Sequence, residues 1–170
     1  MNFDATSASA APEPENLAPL DERLIQAIWN EQLIKGDVLV TADGRPVRVY
    51  DPGQWNGEAG PDFRSADISI GAQRLRGDVE IHTNASDWDT HGHQGDFDYN
   101  NVILHVVLYR DDARAHDDLH NGEYVPRLVL EDFLEPDLLT IRQTLAGEDY
   151  FYAPRDPEVG PGCHLEIARL

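Results

Sequence analysis

Between Gly60 and Val107 the chain gathers Asp62, Asp78, Glu80, His82, His91, His93, Asp96 and His105, all able to hold a cation or move a proton. Carboxylate oxygens suit hard divalent cations, and imidazole nitrogens suit borderline ones. The residues stand in three blocks, GPDF, GDVEIH and SDWDTHGHQGDFDYNNVILHVV. Seventeen residues lie between Asp62 and Glu80. The two carboxylates are candidate ligands for Mg²⁺ or Mn²⁺, with Zn²⁺ less favoured. An ion held there would lower the pKa of a water and neutralise charge developing on a phosphate. His82, His91 and His93 are the candidate catalytic groups that manage protons, and Asp96 is a candidate orienting partner. His82, His91 and His93, with His105, make a different candidate: an imidazole-rich zinc or iron site.

Each residue also has a plainer reading. Asp62 can cap the Gly-Pro turn before it. Glu80 can be a solvated strand acid, and His82 can pair with Asp78 or Glu80 on the same face. His91 and His93 can be ordinary loop histidines. His105 interrupts an apolar run and reads best as a neutral core histidine bonded to a neighbour, since buried polar groups need partners. Trp55, Trp88 and Tyr99 read as packing residues. Asn56 and Glu58 offer outer contacts to a metal site, and Glu31 is a helical acid that could join one. Cys163 has only His164 beside it and no sign of an activated thiolate.

These side chains need elements to place them. Leu24, Ile25, Ile28, Trp29 and Leu33 recur at helical intervals, predicting a helix over DERLIQAIWNEQLI, with Asp21 as cap and Gly36 as stop. Val38–Thr41 and Pro46–Tyr50 form a hairpin about Ala42-Asp43-Gly44, and DPGQWNGEAGP is a loop. Ala66–Ile70 and Arg74–His82 form a second hairpin about Gly71-Ala72. In its second strand Leu75, Val79 and Ile81 face one way, while Asp78, Glu80 and His82 face the other. Ala85–Asn100 reads as a short irregular helix, and Val102–Tyr109 as a central strand covered on both faces. Arg110–Glu123 reads as an acidic loop, Tyr124–Leu130 as a strand and Pro136–Ala146 as a helix with Gly147 past its end.

The organisation is a disordered tail over residues 1–18, an α/β domain over 19–150, and an extended segment over 151–170 that could open a further domain. One cysteine excludes an internal disulfide and a multi-thiolate zinc site. No run approaches the length of a membrane span, and the first residues lack the pattern of a signal peptide, so the expected location is cytoplasmic. Thirteen basic residues stand against 32 acidic ones, a net charge of −19, which argues against tight metal-free nucleic-acid binding. A nucleic acid could still be met through a metal-bridged phosphate, with Arg74 and Arg76 as a local patch. A protein partner is the alternative.

The element order and the Pro61-Asp62 and Glu80-Ile81-His82 pair resemble the PD-(D/E)XK nuclease core, in which a helix, three antiparallel strands, a crossover helix and a further strand follow one another. That resemblance implies an α+β or α/β restriction-endonuclease-like fold with about four to five strands in a mixed sheet. It also implies a divalent-metal-dependent phosphodiesterase. His82 replaces the Lys of that pattern, and His91-Gly92-His93 is similar to the histidines of very-short-patch repair endonucleases. NGEAGPDF, GDVEIH, SDWDTHGHQGDFDYNNVILHVV and GPGC, from about Leu20 to Cys163, resemble the bacterial domain of unknown function 2851 family. That second resemblance implies kinship without an activity. The alternative to a hydrolase is a non-catalytic interaction or regulatory module on the same fold.

Overall fold

The computed structural model describes residues 22–34 and 38–134. The tail, Asp21, Gly36, the 136–146 helix and Cys163 lie outside the described residues. The chain runs α1 (Glu22–Glu31), β1 (Leu39–Val40), β2 (Pro46–Asp51), β3 (Gln54–Trp55), β4 (Phe63–Ile70) and β5 (Gln73–Asn84). It continues through α2 (Asp87–His91), two 3₁₀ turns (His93–Gly95 and Phe97–Tyr99), β6 (Val102–Tyr109), β7 (His116–Asp118) and β8 (Tyr124–Val129). The fold is α+β.

Among the described residues, a mixed sheet of eight strands is ordered β1-β2-β4-β5-β6-β8-β7, with β3 paired to β4. Strands β2, β4 and β5 pair antiparallel, while β5–β6 and β6–β8 are parallel. Parallel neighbours need a crossover, and α2 with its 3₁₀ turns supplies the one from β5 to β6. The count exceeds the expected four to five, and β3 and β7, two and three residues long, stand in segments read as loops. So short a strand has no periodicity to read. β7 also corrects the reading of 110–123 as loop throughout.

Alternation assigns the two faces. Val79 and Ile81 of β5, Leu104, Val106 and Leu108 of β6, and Leu128 and Leu130 pack with Ile25 and Trp29 of α1 in the main core. Between them along the strands stand Glu80, His82, His105 and Arg127, all buried. They belong to the opposite face, where Trp88, Tyr99, Val102, Leu119 and Val125 form a second cluster. α1 is shorter than predicted and ends where Gln32 turns left-handed, with φ of 52°. No helix among the described residues is long and apolar enough to cross a membrane.

Two local features hold the strand that follows Asp62. Asn56 ties down the approach: its Nδ2 donates to Pro61 O at 2.9 Å, and its backbone N–H donates to Asp62 O at 2.6 Å. One turn further, the register of β4 against β5 shifts between Phe63 and Ala66. Ser65 sits inside that bulge with φ of 60°, a left-handed geometry uncommon outside glycine, and its N–H donates to Asp78 Oδ1 at 3.0 Å.

Candidate functional site

Strand register builds the site. Glu80 on β5 lies beside His105 on β6, and His105 lies beside Arg127 on β8. One polar row therefore crosses three adjacent strands. His82 stands two residues beyond Glu80 on the same face, while His91 closes α2 and His93 opens the first 3₁₀ turn. Gly92 joins them at φ of 80°, which lets the chain turn between two histidines that both face the sheet.

The histidines converge on one atom. His82 Nε2 lies 3.0 Å from His91 Nδ1 and 3.3 Å from His93 Nε2. Glu80 Oε1 lies 3.5 Å from His82 Nε2 and 3.2 Å from His93 Nε2. His82, His91 and His93 each offer one nitrogen, all within 4.8 Å of one another. His82 and His93 are buried and His91 is exposed, so the cluster reaches the surface on the His91 side. The His93 ring stacks on Tyr99 at 3.8 Å between centroids and meets Trp88 edge-on. Trp88 and Tyr99, expected as packing residues, are the packing that orients this histidine.

Behind His82 runs a buried chain of hydrogen bonds. His82 Nδ1 is 2.9 Å from His105 Nε2, and His105 Nδ1 is 2.6 Å from Asp117 Oδ2. Arg127 then donates through Nε to Asp117 Oδ2 at 2.6 Å and through its Nη2 to Asp117 Oδ1. The same guanidinium reaches Asp112 and the carbonyl of Arg114. His105 is thus the buried, bonded histidine that was expected, and its partners are specific.

Asp62 stands one layer away. Its Oδ2 accepts the Ile81 N–H at 3.0 Å and its Oδ1 accepts Gln26 Nε2 at 2.8 Å, so both oxygens are engaged. Its own N–H donates to Glu80 Oε2 at 3.0 Å, which leaves Glu80 Oε1 for the histidines. Asp96 caps the second 3₁₀ turn by accepting from the Asp98 N–H. It acts on His93 through charge. Glu31 accepts from Asn30, whereas Glu22 is the α1 acid whose charge is felt at Asp62, Glu80 and His93. Arg74 and Arg76 both pair with Asp67.

Burial dominates the electrostatics. It raises the carboxyl pKa values of Asp62 and Glu80, and negative neighbours reinforce the shift. Burial, followed by the other three imidazoles, drives His82 down to about 2. His93 and His105 are lowered for the same first reason. Burial pushes the Asp117 carboxyl up, but hydrogen bonds from Arg127 and His105 outweigh it and hold the group below its ordinary value. His82, His93 and His105 are therefore neutral, with lone pairs to offer, beside a firmly ionised Asp117.

Asp117, Arg127 and Asp112 were not anticipated as site residues. One signal was present. Arg127 interrupts the apolar run YVPRLVL as His105 interrupts VILHVVLY, and a charge inside a buried strand requires a partner. Nothing in the sequence identified the partner, because Asp117 is one of many acids in a segment that reads as loop.

The family model described as "Protein of unknown function (DUF2851)" matches residues 22–155. The chain belongs to this family. The DUF2851 match spans every site residue from Asp62 to Arg127 and lies inside the stretch whose motifs carried the resemblance. No curated protein and no solved structure matches the chain. DUF2851 membership gives kinship, and the chemistry must be argued from the site.

Proposed function

We propose that this protein is a metal-dependent hydrolase whose ion is held by His82, His91, His93 and Glu80. One observation carries the reading. Four of the six separations among His82 Nε2, His91 Nδ1, His93 Nε2 and Glu80 Oε1 fall between 3.0 and 3.5 Å. Ligands about 2.0–2.1 Å from a tetrahedral zinc stand about 3.3 Å apart. Hydrogen bonding is a poorer account, since a neutral imidazole nitrogen has one N–H or one lone pair and His82 Nε2 faces three polar atoms. Three imidazoles and one carboxylate favour Zn²⁺, Fe²⁺ or Mn²⁺ over Mg²⁺. With both its oxygens engaged, Asp62 fits better as the support of Glu80 than as a ligand.

A bound ion would activate water for attack and offset charge on the departing group. The chain's own part is to keep His82 and His93 neutral, aim Glu80 Oε1 at them and open the site beside His91. Phosphodiesters are the substrate class we favour. What supports this class is the order α1, antiparallel β2–β4–β5, crossover, parallel β6, with Asp62 immediately before β4 and Glu80 on the neighbouring β5. The −19 charge favours a second reading, a non-catalytic interaction module. The test is calorimetric titration of chelator-treated protein with Zn²⁺ and Mn²⁺, alongside Glu80→Gln and His93→Ala. We expect saturable binding in the wild type, weakened at least roughly tenfold in each variant, as loss of a ligand implies. No saturable binding would overturn the metal site. Binding without hydrolysis of bis(p-nitrophenyl) phosphate or oligonucleotides would favour the interaction module.

A further inference from the structure

We infer that Asp117 sets the tautomer that His82 presents to the cluster, acting through His105, and is a positioning residue for the site. The inference rests on the metal reading only for its purpose, since the tautomer belongs to the protein without an ion. Each link is forced by the one before it. Arg127 has donors and no acceptor, and it engages both oxygens of Asp117, which is therefore a carboxylate able only to accept. The nitrogen 2.6 Å from Asp117 Oδ2 is His105 Nδ1, so the His105 proton sits there. His105 is wholly buried, and the charge of Asp117 is already met by Arg127. Neutral His105 then offers a lone pair at Nε2, 2.9 Å from His82 Nδ1, and that atom must carry the hydrogen. His82 Nε2 is left bare, facing His91 Nδ1, His93 Nε2 and Glu80 Oε1. The opposite tautomer of His82 would put an N–H where a cation ligand is needed.

Both tautomers are therefore chosen by one carboxylate, bonded directly to His105 and one imidazole removed from His82. Such outer partners orient ligands by the hydrogen bond made at the far ring nitrogen. The chain Arg127–Asp117–His105–His82 extends that arrangement by one imidazole.

The experiment is ¹⁵N–¹H correlation spectroscopy of chelator-treated full chain labelled at histidine nitrogen, with His82→Gln and His105→Gln used for assignment. We expect both His82 and His105 as Nδ1–H tautomers. A His82 proton at Nε2, which would also result from a cationic His105 donating at both ends, overturns the inference. A second variant replaces the buried pair by apolar groups, Asp117→Leu with Arg127→Met, so that no charge is left unpaired. In it the His82 tautomer is no longer held at Nδ1–H, and Zn²⁺ affinity falls roughly 10–100-fold. Unchanged tautomers and affinity in that folded variant would also overturn the proposal. Nδ1–H tautomers in a wild type that binds no metal would uphold the inference and refute the metal reading instead.

Discussion

Arg127 is 1% exposed, yet it carries a full charge in the middle of a sheet. Such a charge costs several kcal/mol to bury unless it is matched. Asp117 and Asp112 match it, and the contribution of Asp112 can be followed by pH. Burial alone would raise the Asp112 carboxyl, but hydrogen bonds from Arg127 and Arg114 outweigh it and hold the group at about 2. A folded pKa below the free-chain value of 3.8 means stability that is present above that value and lost as pH falls through about 2. Asp112→Asn is therefore expected to cost on the order of 1–2 kcal/mol at neutral pH, discounted for partial exposure. In urea melts at stepped pH, the gap between wild type and variant should close between about pH 4 and about pH 2. A gap that persists unchanged at pH 2 would mean that packing, not charge, carries the effect. At this scale Glu80, His82, His91 and His93 were legible because their types and clustering stand out in sequence. Their geometry was not, since convergence on His82 Nε2 depends on how β5 meets the α2 segment. Asp117 was illegible because one acid in DDARAHDD looks like the next.

Elements were legible in proportion to their length. The stripe of α1, the β4–β5 hairpin and the run of β6 each repeat a period often enough to be read. β3 and β7 do not, and β7 is the one that brings Asp117 to the site. The parallel pairing of β5 with β6 leaves a mark at Gly77. A Cβ there would lie 2.5 Å from Ile103 Cγ2 and 2.6 Å from Asn101 O. The obstacle includes backbone, so β6 itself would have to shift. Gly77→Ala is expected to destabilise the protein by about 1–3 kcal/mol, in the range of overpacked interiors. Thermal melting should report a Tm lower by several degrees. An unchanged Tm would show that the β5–β6 contact yields locally, and that the register carrying Glu80 to His105 is less tightly held than its geometry implies.

The whole molecule is dominated by its net charge of −19. Self-repulsion of that size works against the compact state and is screened within about 8 Å at physiological salt. Raising NaCl from about 10 mM to about 150 mM, across which the screening length contracts, should therefore raise the Tm of the metal-free protein. A fall in Tm would mean that ion pairs such as Arg114–Asp89 outweigh the repulsion. The row Glu80–His105–Arg127 has a further consequence at this scale. Its three members come from β5, β6 and β8, and both pairings that align them are parallel. Parallel partners are never joined by a tight turn, so no hairpin that forms early can hold any two of them. Their alignment waits on long-range closure of the chain, the slow kind of contact. No excised fragment shorter than 80–127 can carry the row, and a nascent chain has no such site until β8 has been made and docked.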